Sequence, residues 1–60
     1  METLFVTRGE YDSLVQHCQE WMLDNWHTFR AIAWTTSGCR VYGTPAQIDE
    51  LASAIYVADH

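Results

Sequence analysis

The sequence predicts an α+β fold with element order β-α-β-β-α: a three-stranded antiparallel sheet with two helices on one face, a truncated ferredoxin-like unit. Three observations carry this. Residues 2–7 and 28–36 are rich in β-formers, and an apolar stripe of helical period runs between them. Thr7 and Thr44 each stand three positions ahead of a Glu or Gln, the spacing of a capping box at a helix start.

Each element has a local reason. Residues 2–7 (Glu-Thr-Leu-Phe-Val-Thr) alternate as a half-buried strand does, and Thr7 with Glu10 opens the first helix. Tyr11, Leu14, Val15, Cys18, Met22 and Trp26 then recur at i, i+3, i+4 and i+7, one face of a helix of about four turns. Asn25 or His27 marks its exit. Residues 28–36 form the strongest strand candidate, and Ser37-Gly38 reads as a two-residue hairpin turn into a returning strand, Cys39 to Gly43. Thr44-Pro45-Ala46-Gln47 places a cap, a proline at the first helical position and a glutamine at the third. The second helix then aligns Ile48, Leu51, Ala52 and Ile55. A right-handed crossover and a tight hairpin place the third strand at the centre of the sheet.

That turn register sets Trp34 opposite Val41, Ala33 opposite Tyr42 and Thr35 opposite Arg40. One face then carries Ile32, Trp34, Cys39 and Val41, joined by Leu4 and Val6, and is expected to form the core beneath the helices. The other face carries Phe5, Phe29, Ala31, Ala33, Arg40 and Tyr42. A sheet face that meets only water is polar, so this face is expected to be a contact surface for a partner. The unpaired edge of the first strand is a second place for another chain to join.

The 60 residues allow one domain, 1–60, with a thin stability margin, because a chain of this size buries only roughly 60 % of its unfolded surface. Eight acids against three arginines give a formal charge of −5, and there is no lysine. That balance disfavours direct binding to nucleic acid, and no apolar run is long enough to span a membrane. The first residues lack a basic segment and a small-residue cleavage site, so no signal peptide is expected. Two cysteines without a secretory signal point to a cytoplasmic protein with reduced thiols.

Chemistry is expected to be absent. Cys18, Cys39, His17, His27 and His60 fall in no metal-ligand spacing, and both cysteines read as small apolar residues, so neither metal nor other cofactor is expected. No Cys or Ser stands with a His in a nucleophilic arrangement, Asp49 and Glu50 suit the first turns of a helix, and the glycines are isolated. The chain is therefore not expected to be an enzyme.

What remains is surface. Glu10, Asp12, Glu20 and Asp24 on the first helix, with Asp49 and Glu50 on the second, are expected to form one acidic side able to dock on a basic surface of another protein. Trp21 and Leu23 interrupt the polar side of the first helix, and Trp21 is expected to anchor a partner. The leading expectation is a small acidic protein-binding module that occupies a surface on a larger cytoplasmic protein, as a homodimer. Its most concrete form is an inhibitor, of the kind made by phages and mobile elements, directed at a host nucleic-acid enzyme or defence complex. In that form its spaced carboxylates stand where phosphates stand. The alternative is a structural, oligomerising subunit of an assembly. A metal or thiol enzyme is a weaker third.

Overall fold

The computed structural model describes residues 1–32 and 34–59, with the side chains of Ala31 and Ile32 left aside. In chain order the elements are β1 (Glu2–Thr7), α1 (Arg8–His17), α2 (Gln19–Asn25), a 3-10 turn (Trp26–Thr28), β2 (Arg30–Ile32), β3 (Gly38–Gly43) and α3 (Pro45–Asp59).

Both helix starts obey local chemistry. The Thr7 hydroxyl accepts from Glu10 N–H at 3.1 Å, and the Glu10 carboxylate accepts from Thr7 N–H at 3.0 Å. Thr44 and Gln47 repeat the arrangement at the start of α3, at 3.2 and 2.9 Å. Each box satisfies N–H groups that the first helical turn leaves without partners.

The expected three-stranded sheet beneath two helices is corrected. In substance the sheet is an antiparallel ribbon of β1 and β3, paired from Glu2 with Gly43 to Thr7 with Gly38. β2 contributes only Arg30–Ile32 along the other side of β3. Among the described residues there are three α-helices, because the expected first helix divides at Cys18. Cys18 adopts φ −126° and ψ 42°, outside the helical region. Its N–H still donates to Leu14 O at 2.8 Å, and its carbonyl still accepts from Met22 N–H at 2.9 Å. Neither proline nor glycine lies there to announce the break.

The candidate strand 28–36 is shorter because its ends have other partners. The Thr28 hydroxyl donates to Asn25 O at 2.6 Å, closing the 3-10 turn. Phe29 N–H donates to Trp26 O, and its ring is buried. At the far end the turn is centred one residue earlier than expected. Thr35 N–H donates to Gly38 O at 2.8 Å, and the Thr35 hydroxyl accepts from Ser37 and Gly38 N–H at 3.1 and 3.3 Å. Gly38 therefore belongs to β3, opposite Thr7. The β2 register is displaced by three residues, with Ile32 rather than Thr35 opposite Arg40. An odd displacement exchanges the two faces of a strand.

The core joins Val6, Cys39 and Val41 of the ribbon to Leu14 of α1, Met22 of α2, Phe29, and Ile48, Leu51 and Ile55 of α3. Ala52, expected on the inner face of α3, is exposed. Trp34, expected in the core, is 46 % exposed and stands edge-on to Tyr11 at 5.1 Å. Tyr11 meets Trp26 on another side at 5.3 Å, and Phe29 lies 6.1 Å from both Trp26 and Trp21. This row of rings encloses one end of the helix–sheet interface, where aromatic burial adds directional contact to apolar area.

Two glycines permit close approach. Gly43 lies beneath the Phe29 ring, where an added Cβ would stand 3.2 Å from Cδ1. Gly38 has φ +151°, and an added Cβ would fall 2.1 Å from the Val6 carbonyl oxygen. Gly38→Ala is therefore expected to lower unfolding free energy by about 3 kcal/mol or to prevent folding. Urea denaturation checks it, and wild-type stability in the variant contradicts the close β1–β3 approach.

Candidate functional site

Parity along the ribbon builds the candidate surface. Residues opposite each other in an antiparallel pair share a face, and successive residues alternate. Leu4 with Val41 and Val6 with Cys39 lie on the helix-covered face, so Thr3 with Tyr42 and Phe5 with Arg40 lie on the open one. Arg30 joins Tyr42 from the β2 side. Phe5 is 46 % exposed, Tyr42 is half-buried, and both arginines are exposed. The surface is thus two aromatic rings set among Thr3, Arg30 and Arg40.

Of the residues expected on this face, Phe5, Arg40 and Tyr42 occupy it together. Phe29 does not: it is buried against Trp21, Trp26 and Gly43. Ala31 and Ala33 lie outside the described side chains. Arg30 is a member that the expected register hid. Its signal is its pairing with Tyr42, which only the observed displacement of β2 reveals.

The helical side is less uniform than expected. Glu10 is half-buried and held in the α1 capping box, so it serves the fold. Asp12, Glu20, Asp24, Asp49 and Glu50 are exposed. Trp21 is half-buried, packs against the core and donates from Nε1 to the Glu50 carboxylate at 3.3 Å, tying α2 to α3. It is part of the domain's frame, not a free anchor. Beside it lies a shallow apolar cleft of about 280 Å³, lined by Cys18, Trp21, Glu50, Ser53, Ala54 and Val57. Leu23, 73 % exposed, stands on the same helix as Trp21.

Charge is therefore segregated. Arg30 and Arg40 lie on the open sheet face, whereas seven of the eight acids lie on helices and the eighth, Glu2, lies at the strand start on the other parity. The helices thus carry most of the negative charge, with Arg8 at the start of α1, and the open face carries two positive charges.

Both thiols are free. The Cys18 thiol is half-buried, 3.8 Å from Ala54 O, while Cys39 is fully enclosed beside Val6. Burial pushes the Cys39 thiol above its ordinary value of 9.0. Among the described residues no group of three or more His, Cys, Asp or Glu converges to hold a metal ion, and no helix is long and apolar enough to cross a membrane. The chain matches no protein-family model, no curated protein and no solved structure.

Three outcomes follow from this geometry. Trp21→Ala is expected to lower stability by roughly 2–3 kcal/mol, less than for a fully buried indole. Thermal unfolding measures it, and an unchanged melting temperature contradicts the framing role. A thiol reagent applied to the native protein is expected to modify Cys18 first and Cys39 only on unfolding. The raised folded pKa of Cys39 stabilises the native state fully below about pH 9 and ceases to do so as pH rises through the folded value. Cys39→Ala is accordingly expected to flatten part of the alkaline fall in stability, measured by denaturation between about pH 8 and 11.

Proposed function

We propose that the chain is a small acidic binding module that acts in the cytoplasm by occupying a surface on a larger protein, and that the open sheet face is its contact surface. One observation carries this reading. The face that no helix covers holds Phe5 and Tyr42 flanked by Arg30 and Arg40, the residue types that supply most interface affinity. Isolated exposed apolar residues are ordinary, but paired aromatics and arginines on one uncovered layer form a patch.

The two sides divide the labour. Net charge and the exposed helical acids draw the module toward a basic partner and raise the rate of encounter. On docking, the open face contributes apolar area, and its guanidinium groups require carboxylate or carbonyl acceptors on the partner. The concrete form is an inhibitor of the phage or mobile-element kind. It acts on a host nucleic-acid enzyme or defence complex, whose basic surface attracts the helical carboxylates.

Affinity capture from host lysate, with mass-spectrometric identification and a titration of the purified partner, tests this. Phe5→Ser and Tyr42→Ser are each expected to weaken binding by about tenfold or more, chiefly through faster dissociation. Neutralising Asp12, Glu20, Asp24 and Asp49 is expected to slow association and reduce its salt sensitivity while leaving dissociation nearly unchanged. Full affinity in both sheet-face variants rejects this face as the contact surface.

A further inference from the structure

Between β1, the start of α1 and the last turns of α3 lies a cleft of about 330 Å³. Leu4 and Ile55, both packed in or against the core, give it an apolar lining. Phe5 and Tyr56, both exposed, add aromatic surface, and Glu10 and Asp59 contribute a carboxylate each. Three sources of negative potential meet there. The Glu10 carboxylate accepts from Thr7 N–H through one oxygen, and a carboxylate has room for several donors. Asp59 is the last residue of α3, and no basic residue stands in that last turn. The carbonyl end of a helix is itself negative, so the Asp59 carboxylate opposes the helix dipole instead of offsetting it. Among the described residues neither carboxylate is paired with a cation.

The group that complements such a cleft joins an apolar stem to a cationic head, as lysine and arginine do. Arginine fits better of the two. Its guanidinium plane stacks on aromatic rings, sheds water more readily than an ammonium, and offers a fork of donors that can reach carboxylates. We infer that the cleft receives an arginine side chain projecting from the partner. The inference rests on the basic partner proposed above, and it adds the point at which that partner is held. Phe5 belongs both to the open face and to the cleft, so the arginine enters at the rim of the contact surface. The apolar lining takes the stem, while Glu10, Asp59 and the end of α3 face the charge. Close to low-dielectric walls these attractions are screened less than those of the fully exposed acids elsewhere on the helices.

Titration of the isotope-labelled chain with acetyl-glycyl-arginyl-glycinamide, followed by amide chemical shifts in about 50 mM salt, tests the cleft without the partner. The expected dissociation constant is on the order of 1–10 mM, with the largest shifts at Leu4, Phe5, Ile55, Tyr56 and Asp59. The citrulline analogue, of similar shape without the charge, is expected to bind at least about fivefold more weakly, and the lysine analogue at least about twofold. Asp59→Asn is expected to weaken the arginine peptide about threefold and Tyr56→Ser about twofold. Asp24→Asn on α2 and Tyr42→Ser on the open face are expected to change it by less than about 1.5-fold. If a variant fails to fold, the three peptides on the wild-type chain decide. Shifts scattered over the helical acids or centred on Arg30 and Tyr42 overturn the inference. So do equal affinity for the citrulline or lysine analogue and equal losses at Asp24 and Asp59. A failed titration beside weakened partner binding in Tyr42→Ser overturns the cleft alone. Peptide held in the cleft beside full partner affinity in Tyr42→Ser upholds the cleft and counts against the open face.

Discussion

Parity along β1 is the constraint from which the other features derive. Even positions send Leu4 and Val6 beneath the helices and their backbone groups to β3. Odd positions send Thr3 and Phe5 to the uncovered face and their backbone groups to the outer edge. One alternation thus defines the core, the candidate contact surface and the free edge together. The Thr7–Glu10 box ends the strand where that alternation would otherwise continue, and it starts α1 without a linking loop. At the same end Gly38 admits the Val6 carbonyl into a space that no side chain could share.

A domain of this length has few ways to enclose its core, and this one uses aromatic rings to close its open end. Trp34, Tyr11, Trp26, Phe29 and Trp21 stand in succession from the sheet loop to α2, each within ring-contact distance of the next. Phe29 is the central member, and it reaches the row by leaving the strand in which β-propensity places it. Burial of a large ring outweighs the modest preference of a residue for an extended ladder. That exchange shortens β2 to three residues and displaces its register.

How far the fold is legible in the sequence follows from the range of each determining interaction. The two capping boxes, the alternation of β1 and the inner face of α3 depend on residues a few positions apart, and they stand as expected, Ala52 excepted. The division of the long helix at Cys18, the burial of Phe29 and the exposure of Trp34 depend on contacts between segments distant in the chain, and nothing local marks them. The candidate site shows the same split. Phe5, Arg40 and Tyr42 share the open face because β1 and β3 read correctly from their own patterns. Arg30 joins it only through the β2 displacement, and Phe29 leaves it for the same reason. Trp21, conspicuous on the sequence as an outlying indole, is absorbed by Phe29 and Glu50.

The separation of charge has a consequence for how the molecule meets others. Seven carboxylates on the helices, against Arg30 and Arg40 on the open layer, give the body a permanent electric moment. In the field of another charged protein such a body feels a torque as well as a pull, at distances up to the Debye length of about 8–10 Å at ordinary ionic strength. Near a basic surface that torque turns the helices inward, and near an acidic one it turns the arginine-bearing layer inward.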